Sequence, residues 1–260
     1  MAHKTLINGT AYEIKGGKTL IGGTAYKIEG GKTLVGGTAY KVGFSTPIST
    51  LPVGSSVYFK VDGVSTEFII VHHGRPSSMY DESCDGTWLL MKNCDQNIAF
   101  SSSNNNSYSS STMHSKLKGS FFDSIDSDVS AFIKTVKIPY VSGRGDYSSS
   151  VVKSGADGLS TTCFLLSGYE VGYTQANNSA LPIDGALLEY FRQTGNRFAY
   201  FNGSVVHWWL RSPAMGFKDM TFISTNAGGL DVLYCNQYGL TAGRRPAFIL
   251  PYDFDISDYI

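Results

Sequence analysis

The chain has few charged residues. Asp, Glu, Lys and Arg make up 16% of its 260 residues, and 21 basic side chains balance 21 acidic ones. Neither sign forms a run, so the sequence has no basic tract of the kind that binds phosphate backbones or anionic lipid. No stretch reaches the roughly 18 apolar residues of a membrane-spanning helix, and the first residues carry no apolar signal-peptide core. We therefore expect no nucleic-acid partner, no membrane insertion and no export by a signal peptide.

Cysteine is also scarce. The four cysteines, Cys84, Cys94, Cys163 and Cys235, are too far apart for the CxxC spacing of metal or redox sites. Without export a disulfide framework is disfavoured, so we expect reduced, buried thiols. A disulfide between Cys84 and Cys94 is the alternative, if the chain doubles back between them.

Recognisable catalytic motifs are absent. The sequence contains no HExxH, no nucleophile elbow and no phosphate loop. His72 and His73 are adjacent on a predicted strand, where neighbouring side chains point to opposite faces, so the two cannot share a metal. The sequence predicts no catalytic residue, no metal site and no cofactor.

The N-terminal part of the chain contains an internal repeat. Residues 4–12, 18–26 and 32–40 share a 14-residue period, and each holds a turn dipeptide, Asn8-Gly9, Gly22-Gly23 or Gly36-Gly37, between two alternating segments. The pattern predicts a domain of small β-hairpins over residues 1–44. Such thin layers bury little apolar surface alone, so we expect this domain to anchor or oligomerise the chain.

The rest of the chain reads as a Ser/Thr/Pro linker at 45–52 and one domain at 53–260. Alternating residues predict strands at 56–61, 65–72 and 87–92, with a turn at Asp62-Gly63. Apolar spacing predicts helices at 112–117, from Asp126 or Ser127 to about 136, and at 184–194 with Asp184 as N-cap. Strands follow after residue 203. This order predicts an α+β fold with an antiparallel sheet.

Two bulky segments near the C-terminus, residues 208–213 and 243–251, flank a stretch rich in Gly, Tyr, Asn, Ser and Thr. Bulky apolar and guanidinium side chains lock a core, whereas the enclosed residue types are those that binding loops use. We expect a rigid frame around a variable binding region at about 214–240, with one of the two adjacent tryptophans reaching the surface. The predicted frame residues are Trp208, Trp209, Arg211, Arg245 and Pro246.

These segments resemble the C-terminal end of variable proteins diversified by retroelements in phages and gut bacteria. The resemblance covers residues 52–251 and rests mainly on Trp208-Trp209-Leu210-Arg211-Ser212-Pro213 and the terminal Gly-x-Arg-Pro-Ala-Phe-Ile-Leu pattern. It implies a C-type-lectin-like fold similar to the formylglycine-generating-enzyme group. The three N-terminal repeats resemble the leader of phage tail-tip proteins.

In that family varied positions come mostly from Asn codons, which limits the residues found there. Gln237, Lys218, Met215 and Met220 lie outside the reachable set and are expected to be fixed. The resemblance implies that the ligand is bound by Phe217, Asp219, Phe222, Ser224, Asn226, Leu230, Asp231, Leu233, Tyr234, Asn236 and Tyr238.

The resemblance implies a receptor-binding protein (adhesin) of a phage tail tip, carried on the virion. Its expected partners are a host cell-surface protein or glycan and, through residues 1–44, phage tail or baseplate proteins, with a homotrimer as the expected assembly. The calcium-dependent sugar signature of animal lectins and the paired cysteines of the formylglycine-generating enzymes are both missing. The alternatives are a fixed bacterial surface adhesin and an enzyme of the formylglycine-generating-like group that uses Cys84, Cys94 or His72. The integrin-type tripeptide Arg144-Gly145-Asp146 is a further, weaker signal in a polar loop.

Overall fold

The computed structural model describes residues 45–146, 150–236 and 242–260, together with six strands between residues 4 and 42. The chain divides into two compact units, Met1–Thr46 and Pro47–Ile260.

In the first unit each 14-residue repeat forms one two-stranded antiparallel sheet. The register is the same in all three, because Thr5 pairs with Tyr12, Thr19 with Tyr26 and Thr33 with Tyr40. The predicted turn dipeptides lie outside the described residues. The strands are β1 (Lys4–Ile7), β2 (Thr10–Glu13), β3 (Lys18–Ile21), β4 (Thr24–Lys27), β5 (Gly31–Val35) and β6 (Thr38–Val42).

The second unit begins inside the segment predicted as a linker. Ile48 is fully buried, and its backbone N–H donates to the Phe254 carbonyl oxygen at 2.8 Å. Residues 47–52 therefore pack as part of this unit and do not form a linker.

The strands of the second unit are β7 (Ser56–Val61), β8 (Val64–His73), β9 (Thr87–Met91), β10 (Gln96–Ile98), β11 (Val136–Ile138), β12 (Tyr140–Val141), β13 (Val152–Lys153), β14 (Leu159–Thr161), β15 (Cys163–Phe164), β16 (Tyr200–Phe201), β17 (Ser204–Val205), β18 (Trp208–Pro213), β19 (Met220–Ser224), β20 (Leu230–Tyr234), β21 (Ala242–Arg244) and β22 (Ala247–Leu250).

Two five-stranded sheets organise this unit. The first is antiparallel in the order β15-β22-β9-β8-β7, and the second has the order β10-β21-β18-β19-β20 with β18 and β21 parallel. The predicted strand at 56–61 is confirmed with the same bounds, and Asp62 and Gly63 form its turn with φ of 50° and 75°. The smaller pairs are β11 with β14, β12 with β13, and β16 with β17.

Helices are few. Among the described residues from 45 onward, the longest continuous helix covers the 13 residues 112–124, and 18% of the residues are helical and 32% lie in strands. The helical elements are α1 (Thr112–Lys116), a wider turn at Leu117–Phe121, α2 (Phe122–Ser124), α3 (Ser127–Ser130), and short 3₁₀ turns at Ile48–Thr50, Glu82–Cys84, Tyr108–Ser110, Gly155–Asp157, Glu189–Arg192 and Thr194–Arg197. The fold is thus mainly β with a half-barrel sheet, and the predicted α+β, C-type-lectin-like class is wrong.

Tertiary contacts explain why the helix predicted from 126 or 127 to about 136 is shortened to α3, and why no α-helix forms at 184–194. After α3 the backbone N–H of Lys134 donates to the Ile249 carbonyl oxygen on β22, and Val136–Ile138 then pairs as β11. At the other site the Asp184 side chain is buried against Ser212, where it cannot cap a helix. Leu187, which lies within that predicted helix, is 45% exposed. Apolar spacing at 184–194 was therefore overridden by a buried polar contact.

Candidate ligand-binding face

The candidate site is built on β18, the central strand of the second sheet. All six residues of β18 are buried, because β21 and β19 flank the strand and side chains cover both of its faces. The Trp209 ring lies 5.6 Å from that of Phe100, and the Arg245 guanidinium lies 4.9 Å from the centre of the Trp208 ring. Both tryptophans are fully buried, so the expectation that one reaches the surface is wrong.

Arg211 is the most heavily bonded frame residue. Its guanidinium makes a two-bond ion pair with Glu170, with Nη1 2.6 Å from Oε2 and Nη2 2.7 Å from Oε1. The remaining donors reach the carbonyl oxygens of Pro139, Leu165 and Asp184 at 2.9 to 3.0 Å. Burial opposes the Arg211 charge, but the Glu170 carboxylate outweighs it and raises the arginine pKa. This side chain therefore ties three separate segments, at 139, 165–170 and 184, to β18.

Asp184 is the second buried carboxylate of this cluster. Its two oxygens lie 2.8 and 2.9 Å from the Ser212 hydroxyl, which can donate one proton, and the Gly168 N–H donates to the same hydroxyl oxygen. Burial raises the pKa of Asp184 to about 7, although the nearby Arg211 charge works in the opposite direction. The cluster thus holds one guanidinium and two carboxylates in the core.

Arg245 is held differently. Its Nε donates to the Met91 carbonyl oxygen at 3.0 Å, while Nη1 has no hydrogen-bond partner among the described residues. Burial lowers its pKa to about 10. Stacking on Trp208 is its main remaining contact, and such contacts stabilise a desolvated guanidinium. Pro246, the last predicted frame residue, is also buried, and its carbonyl oxygen accepts from Met91 N–H.

One end of the β19–β20 hairpin is held by a side chain from far upstream. Asn106 is fully buried and donates through Nδ2 to the carbonyl oxygens of Phe217 and Met220 at 2.6 and 2.8 Å. Its Oδ1 accepts from the Gly145 N–H at 2.8 Å. The turn at 214–220 is therefore fixed by Asn106, which the sequence prediction missed because nothing local marks a buried Asn in a Ser/Asn-rich loop.

The same turn engages the tripeptide Arg144-Gly145-Asp146. Arg144 Nε donates to the Lys218 carbonyl oxygen at 3.1 Å, and the Asp146 carboxylate lies 3.1 Å from the Lys218 ammonium. A β-carbon on Gly145 would lie 2.6 Å from the Ala214 carbonyl oxygen. These contacts give the tripeptide a structural role in supporting the turn.

The opposite end of the hairpin is held by Tyr173. Its hydroxyl lies 2.9 Å from Ser224 Oγ and 2.9 and 2.8 Å from the carbonyl oxygens of Gly228 and Gly229. The Arg197 guanidinium lies 4.2 Å from the centre of the Tyr173 ring. The turn at 225–229 is thereby fixed from below, and this residue too was missed by the sequence prediction.

The predicted ligand-binding residues fall into three groups. Phe222 and Ser224 are fully buried on β19, and they have no surface to offer a ligand. Tyr238 lies outside the described residues. Exposed or half-buried are Phe217 (49% exposed), Tyr234 (45%), Asp219, Asn226, Leu230, Asp231, Leu233 and Asn236. We call this last group, with the two clamped turns, the hairpin face.

β20 is the edge strand of its sheet among the described residues. The pairing places Ile223 opposite Asp231, and the Asp231 carboxylate accepts from the Val232 N–H at 2.8 Å. A charged side chain on an edge strand discourages unspecific strand pairing. The hairpin face is thus presented on a defined, partly protected edge.

Cys84 and Cys94, two of the residues named for the enzyme alternative, are buried. Burial raises the pKa of both Cys84 and Cys94 to about 12, so both thiols are protonated near neutral pH. All four cysteines are free and buried, so the open possibility of a Cys84–Cys94 bond is not realised. His72 Nδ1 faces the Glu189 N–H, and His73 bonds Thr87 and the Leu51 carbonyl oxygen.

Away from the hairpin face lies an open groove of about 740 Å³. Two ion pairs lie in its walls, Lys92 with Glu67 and Arg244 with Asp95. Within the described ranges no three His, Cys, Asp or Glu side chains are placed to hold a metal ion. None of the described helices is long and apolar enough to cross a membrane.

Fold and site together define a mainly β domain that presents a clamped hairpin on a buried frame. The family model described as a domain of unknown function, DUF6273, matches residues 85–252, and the chain belongs to that family. The matched region includes the frame, both clamping residues and the hairpin face. Comparison with curated proteins and with solved structures gave no match.

Proposed function

We propose that the chain is a phage tail receptor-binding protein whose hairpin face binds a ligand on the host surface and is varied by a retroelement. The observation that carries this is the separation of support from surface. Asn106, Tyr173 and Arg211 hold the hairpin from buried positions outside residues 214–236, while Phe217, Asn226 and Tyr234 are exposed on it. Exposed residues on such a support can change without loss of the fold.

The chemistry of the face is that of recognition. Exposed Tyr and Phe supply rigid contact area at low entropic cost, and Asn and Asp supply adaptable hydrogen bonds. One such face would bind weakly, and several copies on one particle would raise the binding by avidity.

Sequencing this gene across the population that carries it tests the proposal. We expect substitutions at the exposed positions Phe217, Asn226, Asp231 and Tyr234, at Asn-derived codons, with Phe222, Ser224 and the frame unchanged. Uniform sequence across residues 214–240 would reject diversification and leave a fixed adhesin. Substitutions spread evenly over buried and exposed positions would reject the binding-face assignment itself.

The N-terminal hairpins are assigned the anchoring role within this proposal. Each is an isolated two-stranded sheet, an arrangement that is marginally stable alone, so association with sister chains or tail proteins would complete a core. We propose a homotrimer. Analytical ultracentrifugation of the full chain and of a variant lacking residues 1–43 tests this, and an oligomer of unchanged size after the deletion would exclude the assignment.

A further inference from the structure

A second exposed surface lies beside the hairpin face, on the hairpin formed by β16 and β17. Tyr200 pairs with Val205, and the Val206 N–H donates to the Ala199 carbonyl oxygen at 3.0 Å. Continuing that register by one pair sets Phe198 opposite His207. Because side chains alternate along a strand, Phe198, Tyr200, Val205 and His207 share one side of the hairpin, opposite the fully buried Ala199. We call these four residues the platform.

The platform presents two aromatic rings to solvent. Phe198 is 39% exposed and Tyr200 is 45% exposed, two residues apart on an extended segment, which spaces them by roughly 7 Å. The Phe198 ring packs against the turn of the hairpin face, since a β-carbon on Gly228 would lie 3.4 Å from its Cζ. The ring is therefore oriented by its neighbours.

Oriented polar groups border the rings. The Asn226 backbone N–H donates to His207 Nδ1 at 3.1 Å, so in the neutral imidazole the proton is on Nε2. Within the described part of the chain neither His207 Nε2 nor the Asn226 side-chain amide has a protein partner. One donor and one donor–acceptor amide thus remain for a ligand.

No acidic, lysine or arginine side chain belongs to the platform. Residues 198–207 and 225–229 include no Asp, Glu, Lys or Arg. The guanidinium that precedes them, Arg197, is directed to the carbonyl oxygens of Val171 and Gly172 at 3.0 and 2.7 Å and onto the Tyr173 ring. A charged ligand would therefore find no counter-charge here.

We propose that the platform binds a neutral pyranose unit of a glycan. The C–H face of such a sugar suits an exposed aromatic ring, and its hydroxyls both donate and accept, as His207 Nε2 and the Asn226 amide require. A folded protein partner needs a larger area, of the order of 800 Å² on each side, than two rings and two polar groups supply.

The platform joins the hairpin face through Asn226 and Gly228, so a sugar bound here would lie beside a varied surface. The biological role of the sugar rests on the proposed function, whereas the contact itself does not. The population test could reject diversification while sugar binding is still measured. Equally, sugar binding could be absent while the population test supports diversification.

Saturation-transfer NMR and calorimetry on the full chain, with maltotriose, cellotriose and chitotriose as probes, test this proposal. We expect saturable binding of at least one probe, weakened about tenfold by Tyr200→Ala and by Phe198→Leu, which keeps an apolar contact with Gly228 but removes the flat ring. Tyr58→Ala removes a tyrosine of similar exposure outside both the platform and the hairpin face and should leave binding unchanged. Binding of no probe, or binding unaffected by both platform variants, would overturn the proposal.

Discussion

The guanidinium of Arg211 and the carboxylate of Glu170 form a two-bond ion pair whose side chains are both 0% exposed. The Tyr80 hydroxyl and the Ser167 N–H complete the carboxylate's bonds at 2.7 and 2.8 Å. A pair so desolvated is stable only while both partners are present, because removal of one leaves the other charge buried and uncompensated.

Replacement of Arg211 by Met should therefore lower the free energy of unfolding by about 3 to 5 kcal/mol. Urea denaturation of the variant and the parent measures the difference. Lys92→Met is the matched control, because its ion pair with Glu67 is partly exposed and should be worth less than about 1 kcal/mol. Equal losses of unfolding free energy in the two variants would show that the buried ion pair contributes no more to stability than the partly exposed one.

Asp184 should make stability depend on pH. Its folded pKa, about 7, lies above the ordinary aspartate pKa of 3.8, so the folded state binds more protons than the unfolded state between these two values. Stability is then lost as pH rises from 3.8 to 7, by up to about 4 kcal/mol. Asp184→Asn keeps an oxygen for Ser212 and removes the charge.

We expect Asp184→Asn to be more stable than the parent at pH 8 and similar to it near pH 4. Urea denaturation at the two pH values measures this. Asp231→Asn makes the same substitution on the exposed edge strand and serves as the matched control. A variant less stable than the parent at pH 8 would mean that the ionised carboxylate is favourable in its site.

Local signals explain which parts of the fold could be predicted. The β7–β8 hairpin could be predicted from the alternation of apolar and polar residues and from Asp62-Gly63. This dipeptide tolerates the positive φ angles that the turn requires. The helix proposed at 184–194 fails because the carboxylate that should cap it bonds Ser212, 28 residues further on. Sequence spacing cannot anticipate such a contact.

The candidate site, too, could be predicted from the sequence only in part. Bulky residues marked the frame correctly as a place of burial, but the partner of Arg211 lies 41 residues upstream and carries no local mark. Phe222 and Ser224 were predicted as ligand contacts from the family resemblance, and both are fully buried on β19. Side-chain type shows what a residue can do, whereas exposure depends on neighbours that only the fold supplies.

Asn106 should control the turn at 214–220. Asn106→Ala leaves the Gly145 N–H and the carbonyl oxygens of Phe217 and Met220 without their partner, at a cost of about 1 to 3 kcal/mol. We expect faster amide hydrogen exchange in residues 214–220 than in the parent. Asn104→Ala, at an exposed neighbour, should leave exchange unchanged, and similar profiles for both variants would argue against the clamp.

Tyr173 should control the other turn through its hydroxyl alone. Tyr173→Phe keeps the ring beneath Arg197 and removes the group that contacts Ser224, Gly228 and Gly229, so we expect a loss of about 1 kcal/mol. Hydrogen exchange should accelerate at the Thr225 and Gly228 amides, which bond within the turn, and remain unchanged in β9. Tyr234→Phe removes an exposed hydroxyl from the adjacent strand and is the matched control. If Tyr173→Phe exchanges like Tyr234→Phe, the turn holds its shape without the buried hydroxyl, and the support for a variable surface must come from the backbone bonds of the turn instead.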